Sequence, residues 1–456
     1  RAQTYLTTQA GTPTFGGVSG FANDTYTYNE EHLMNTIALK TSTKGHWDGE
    51  AIFTDYDYLQ DMQRNPAGVT GNTGFTPGGY ITRMDGSGWT TADIKGIWRP
   101  TGAGGAHELS FGAHRDQYDL RNPTYNTDNW RSSPATGNGT LYASGRGRTT
   151  TYALWAQEAW KFAPRLSLTI GGRLEFWRAS DGFNLAGKVA TRQPPEHATN
   201  FSPKATLAWQ INRRWDAKIS FGEAWRYPTV AELYQIVATG GTYAVPNANL
   251  KPEQVFSGEV MVERHTRNGS LRLSLFQENT RNALISQSTL INSIYTTTVQ
   301  NVTAIRNRGV EFVAERHNVL FPGVDLSNSV TYVDSRILSD PGFDSATGTV
   351  ATGKHVPYVP DWRDTFQATW HATPRLDLSA ALRYQGRMYS TLDNTDRVGH
   401  VFGAFDKFLV VDVHAHWRVH GPLTLDAGID NINNARYYEY HPFPMRSYVA
   451  DLKASF

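Results

Sequence analysis

The chain has 456 residues, with 43 Lys and Arg against 42 Asp and Glu, and no cysteine. This charge balance leaves no electrostatic footprint for nucleic acid, and the lack of cysteine excludes a disulfide scaffold and a thiolate metal site. Hydrophobic residues make up 39% and mean hydropathy is -0.48, with no run of 18 apolar residues to cross a membrane as a helix. Such polarity still suits a membrane barrel, where only alternate strand residues meet lipid.

In chain order, residues 1–6 read as the upper end of a strand, and 11–30 as a loop rich in Gly, Thr and Asn. Residues 32–43 and 47–59 form a hairpin turning at Lys44-Gly45. A long loop runs to Gly88, and a second hairpin joins 91–98 to 107–118 across five residues from Thr101 to Gly105. After a loop carrying Trp130, residues 149–162 turn at Ala163-Pro164-Arg165 into 166–177. There Leu166, Leu168, Ile170, Leu174 and Phe176 alternate with Ser167, Thr169, Gly171, Arg173 and Glu175, the period-two signature of a strand with one apolar face. A loop over 181–200 precedes strands 203–210 and 216–224, then a short helical turn over 227–234 with Pro228 near its start. Further hairpins pair 254–264 with 270–285, 299–316 with 324–337, 365–371 with 376–389, and 408–417 with 423–431. Residues 447–456 make a last strand ending in Phe456.

Tight turns alternate with long loops throughout, as in a barrel with short periplasmic turns and long extracellular loops. The faces alternate too. Leu271, Leu273 and Leu275 oppose Arg272, Ser274, Phe276 and Glu278; Val411, Val413, Ala415 and Trp417 oppose Asp412, His414, His416 and Arg418. The predicted fold is all-β: a transmembrane antiparallel up-and-down β-barrel of about 18 strands. A four-stranded-blade propeller would need blade motifs that are absent.

Several segments resemble the TonB-dependent outer-membrane receptors. Residues 220–234, SFGEAWRYPTVAELY, are similar to a family segment ending in Glu-Leu-Tyr. Residues 247–254, NANLKPEQ, and 307–311, NRGVE, resemble two more, and Asp430 to Asn434 followed by Tyr437 and Tyr438 resembles a fourth. The resemblance implies the 22-stranded family barrel, with 1–456 as one barrel domain and the plug, the TonB box and the first four strands encoded upstream of Arg1. It implies a monomer in the outer membrane of a Gram-negative bacterium, set in a lipid bilayer with lipopolysaccharide, and TonB as partner. The implied function is active uptake of a scarce nutrient, a ferric siderophore complex being the family's commonest substrate class. Copper, zinc, haem, cobalamin and oligosaccharide remain open. So do a passive porin-like channel, a phage or colicin receptor, and a soluble β domain.

No catalytic motif is present: no GxSxG, HExxH, P-loop or dinucleotide fingerprint. No enzymatic activity and no cofactor are expected. The candidate ligand-binding residues are loop and strand-top aromatics with neighbouring cations: Tyr56, Tyr58, Trp130, Arg131, Tyr234, Tyr243, Tyr389, His400, Phe402, Tyr440 and His441. Tyr80 and Trp89 extend the aromatic set, and Arg146, Arg148 and Arg226 the cations. Aromatics with arginines suit an aromatic anionic iron chelate through stacking and cation–π contact; the same aromatics also suit an interfacial girdle. The segments around Leu250 and Leu233 read as structural supports of a loop base. His414 and His416 share a face with Asp412, as metal ligands or as plain lumen wall.

Overall fold

Period-two segments separated by tight turns become long antiparallel strands of one sheet. The structure is a computed structural model that describes residues 6–7, 13–14, 26–70, 74–239, 242–291, 294–319, 321–343, 349–401 and 403–455. Seventeen strands of eight or more residues make the wall. They are β1 (Thr27–Lys40), β2 (Trp47–Pro66), β3 (Gly88–Trp98), β4 (His107–Thr127), β5 (Leu141–Ala163), β6 (Leu166–Ala186), β7 (Glu196–Asn212) and β8 (Trp215–Arg226). The single helix among the described residues, α1 (Val230–Tyr234), follows. Then come β9 (Glu253–Thr266), β10 (Gly269–Ile291), β11 (Ile294–Arg316), β12 (Val324–Ser339), β13 (Trp362–Thr373), β14 (Leu376–Gln385), β15 (Phe408–His420), β16 (Leu423–Asp430) and β17 (Ser447–Ala454).

Each strand pairs with the next from β1 to β17, and β17 and β1 are neighbours in the barrel order, though among the described residues no register joins these two. β1 and β17 are exposed along nearly every residue, so their seam is the least covered part of the wall. The predicted partial strand over 1–6 is not seen in the wall: Leu6–Thr7 pairs with Pro13–Thr14 in a separate two-stranded sheet, and residues 1–5 lie outside the described residues. Phe456 also lies outside them.

The register carries the apolar face around the barrel. Leu39 lies opposite Ala51, Ala51 opposite Ile94, Ile94 opposite Ala113, Ala113 opposite Leu154, and Leu154 opposite Leu174. On the far side Trp370, Leu378, Ala415 and Ala427 follow in the same way. Ile37, Leu39, Ile94, Leu154 and Leu452 are all exposed. An apolar band running round the wall is unstable in water and is covered by lipid in a membrane.

Exposed aromatics bound this band. Beside the short turns stand Trp47, Trp98, Trp160, Trp209, Trp215, Trp370 and Trp417. Exposed Tyr152, Phe201 and Trp362 lie eight residues above Trp160, Trp209 and Trp370 on the same strands. At about 3.3 Å per residue and a tilt of about 40°, eight residues rise about 20 Å, close to the roughly 25 Å apolar band of an outer-membrane barrel.

Several strands run past their predicted ends on the long-loop side. β5 begins at Leu141, β6 continues to Ala186, and most of the expected loop over 181–200 is strand. Above the lipid both faces of a strand meet water, so the sequence there loses its two-period apolar signal while the backbone still pairs. β14, by contrast, ends at Gln385, leaving Tyr389 in a loop.

Inside the mouth, α1 packs against the lumen face. Val230, Leu233 and Tyr234 bury against Leu120, Trp177, Ala179 and Leu250. The contact depends on two missing side chains: a Cβ on Gly147 would lie 2.2 Å, and one on Gly182 2.6 Å, from the Tyr234 ring. We predict that Gly147→Ala lowers stability by about 1–3 kcal/mol through overpacking, read as a lower temperature for loss of the compact band in heat-modified gel migration. Gly342→Ala, where a Cβ meets nothing within 4 Å, leaves that temperature unchanged.

Candidate functional site: an aromatic wall at the barrel mouth

The segment Asp55-Tyr56-Asp57-Tyr58 sits just past Phe53, where the apolar band of β2 ends. Alternation sends Asp55 and Asp57 to the outer face with Phe53, and Tyr56 and Tyr58 to the lumen. A bulge in the β1–β2 register between Glu31 and His32 sets His32 opposite Tyr58. The His32 ring stacks on Tyr58 with centroids 4.0 Å apart and meets Tyr56 edge-on at 5.6 Å. Its Nδ1 and the Tyr56 hydroxyl share a 2.9 Å hydrogen bond. Tyr56 stacks on Trp89 of β3 at 5.4 Å, and Trp89 lies 6.3 Å from Tyr118 of β4. Five rings thus form a ladder across four strands. The phenols of Tyr58 and Tyr118 are neutral at neutral pH. A neutral, rigid ring surface binds flat aromatic groups by stacking.

A second cluster lies among the long loops beyond β12, β14 and β16. Tyr389 stacks on His355 at 5.7 Å, with the Arg387 guanidinium 5.5 Å from its ring. Phe405 meets Tyr358 at 5.1 Å and Tyr440 at 6.5 Å, and Tyr440 meets His441 at 4.9 Å. His400 Nδ1 lies 3.3 Å from Asp406, whose carboxylate also accepts the backbone N–H of Tyr438 at 3.0 Å. Phe402 lies outside the described residues.

The other candidates separate from these clusters. Trp130 is 1% exposed, with Arg131 4.5 Å over its ring and Phe75 edge-on at 6.3 Å. Tyr234 is 1% exposed in the α1 core; burial pushes its phenol up to about 12, and it has no face to offer a ligand. Tyr243 falls in the short strand Thr242–Val245, paired parallel to β11. Tyr80 packs on Tyr142 at 4.3 Å. Arg146 lies over Phe183, while Arg148 and Arg226 pair with Asp119 and Glu232. His414 binds Asp430 at 3.0 Å and His416 binds Asp426 at 2.5 Å, so each histidine has its own carboxylate partner.

The recurring segments prove to be scaffold. Thr229 caps α1: its hydroxyl accepts the Glu232 N–H at 3.2 Å, and the Glu232 carboxylate accepts the Thr229 N–H at 2.8 Å. Leu250 fills the core under α1, and Glu253 accepts the Leu284 N–H at 2.7 Å. Asn431 accepts the Ala435 N–H at 2.7 Å, and buried Tyr437 lies between Phe408 and Phe443 at 4.2 and 5.1 Å. Sequence reasoning missed His32 and Tyr118 in the ladder. The alternating Glu30-x-His32 was visible, but the bulge that turns His32 onto Tyr58 was not.

The band, the short turns and the wide aromatic mouth define an outer-membrane β-barrel. A family model described as TonB dependent receptor-like, beta-barrel matches residues 1–432, and the chain belongs to that family, whose barrels reside in the Gram-negative outer membrane and serve transport rather than enzymatic chemistry. No curated protein sequence matches. Among solved structures, the copper transporter OprC is 16% identical, with 94% of this chain and 66% of that one covered at a TM-score of 0.73. The ferric yersiniabactin uptake receptor FyuA from Yersinia pestis is 14% identical, covering 93% and 61%, with a TM-score of 0.67. The ferric citrate transporter FecA is 12% identical, covering 93% and 61%, with a TM-score of 0.70. The chain therefore spans less than two thirds of these chains, and at such identities the likeness is one of fold.

We predict that Thr229→Ala, which removes the capping box, costs about 1 kcal/mol locally. Limited proteolysis of the 227–250 segment should speed up severalfold while the barrel stays protected.

Proposed function

We propose that the protein takes part in TonB-dependent active uptake of a scarce nutrient across the outer membrane, and that the nutrient is a ferric siderophore with aromatic groups. The observation that carries this reading is the lumen-facing ladder of His32, Tyr58, Tyr56, Trp89 and Tyr118 at the mouth. Flat aromatic arms of a chelate stack on such a surface, and Arg387, over the ring of Tyr389, lies beside the outer aromatics. Ferric-chelate receptors among the structural neighbours agree with this choice. In this reading a monomer sits in lipid and lipopolysaccharide, binds its cargo at the outer loops, and releases it inward when TonB, driven by the proton-motive force, acts from the periplasm.

A strain lacking the gene should lose accumulation of a radio-iron-loaded aromatic siderophore under iron limitation and recover it with the full-length gene. An uncoupler should stop uptake while leaving surface binding intact. Tyr56→Ala and Trp89→Ala should each weaken surface binding up to about tenfold. Uptake that persists with the uncoupler, together with open-channel conductance, would instead identify a passive pore.

A further inference from the structure

Above the ring ladder, three metal-ligating side chains converge from two strands. Glu30 and His32 stand two apart on β1 and share its lumen face. Asp61 of β2 lies opposite Glu30, and the same bulge brings it onto the face that carries Tyr56 and Tyr58. One ligand atom from each of Glu30, His32 and Asp61 lies within 4.8 Å of the other two. We propose that these residues bind a bare divalent transition-metal cation at the barrel mouth, separately from any organic chelate.

Three features support a site beyond an ordinary ion pair. The first is geometry. His32 Nε2 and Asp61 Oδ2 are 3.3 Å apart. Two donors at about 2.0–2.1 Å on a tetrahedral ion stand about 3.4 Å from each other, so this pair already has the right spacing. Glu30 is exposed, and one of its carboxylate oxygens lies within 4.8 Å of the ligand atoms of both. The second is orientation from behind. Tyr56 holds His32 Nδ1, and Tyr58 stacks flat on the ring, which aims Nε2 at Asp61. Tyr28 donates its hydroxyl to Asp61 at 3.0 Å, and Asp85 accepts the Asp61 backbone N–H at 2.8 Å. Metal-binding histidines and carboxylates are held in this manner by a second layer of hydrogen bonds.

The third feature is charge. Asp61 is 4% exposed, and a buried carboxylate needs a compensating charge. Among the described residues no Lys or Arg forms an ion pair with Glu30 or Asp61; His32 is the one basic partner. Two carboxylates around one imidazole therefore leave room for a cation. With no sulfur among the donors, the set suits Zn²⁺, Mn²⁺ or Fe²⁺ and disfavours Cu⁺.

The test is calorimetric titration of ZnCl₂ into chelator-stripped full-length protein in detergent at neutral pH. One saturable equivalent is expected. His32→Ala and Glu30→Gln should each weaken it at least tenfold, and His414→Ala should leave it unchanged. Glu30 is exposed, so Glu30→Gln keeps the fold and separates loss of a ligand from loss of structure; heat-modified migration checks each variant. Absence of a saturable equivalent, or unchanged binding in both Glu30→Gln and His32→Ala, overturns the proposal. The measurement reads metal on purified protein, so its outcome is independent of whether a siderophore is the transported cargo.

Discussion

Backbone hydrogen bonding in lipid is the constraint on which this structure depends. Hydrocarbon offers no partner to an N–H or C=O, so every strand in the apolar band must be paired on both sides. The up-and-down sheet meets that demand from β2 to β16, each of which is paired on both sides. Long strands and tight turns follow from it, because each strand must cross the whole band before it can turn in water. The seam between β17 and β1 is where this arrangement is least covered.

Pairing also fixes where side chains go. Once one residue of a strand faces lipid, period two assigns the rest. Outward positions then form the band, with Trp rings near the short turns. Inward positions are released from any apolar requirement and carry charge: Arg173 pairs with Glu175, and His114 with Asp93 and Asp116. The aromatic ladder is drawn from the same inward set. His32, Tyr56, Tyr58, Trp89 and Tyr118 are lumen residues at the level where lipid gives way to water.

Above the membrane the rule relaxes, and packing takes over. The α1 segment folds inward because Val230, Leu233 and Tyr234 find an apolar patch on β4 and β6, with glycines on β5 and β6 leaving space for the tyrosine ring. The family segments around Tyr234, Leu250 and Asn431 hold loop bases to the wall through caps, buried side chains and side-chain-to-backbone hydrogen bonds. They identify the family because they serve its shared frame. The aromatic ladder is built from residues outside those segments.

The sequence by itself determined the barrel. Alternation in segments such as 166–176 and 271–278, turns at Pro164, Gly269 and Pro374, and long loops between hairpins reflect local backbone geometry and lipid contact, both of which leave a period in the chain. It also marked Tyr56 and Tyr58 as strand-top candidates for ligand binding. Only the tertiary structure decided which aromatics meet. The His32–Tyr58 stack needs a bulge, the Tyr56–Trp89 stack needs a cross-strand register over a long connection, and the burial of Trp130 and Tyr234 needs neighbours far off in the chain. Strand ends above the lipid were hidden for a related reason: where both faces meet water, pairing continues without leaving a period in the residues.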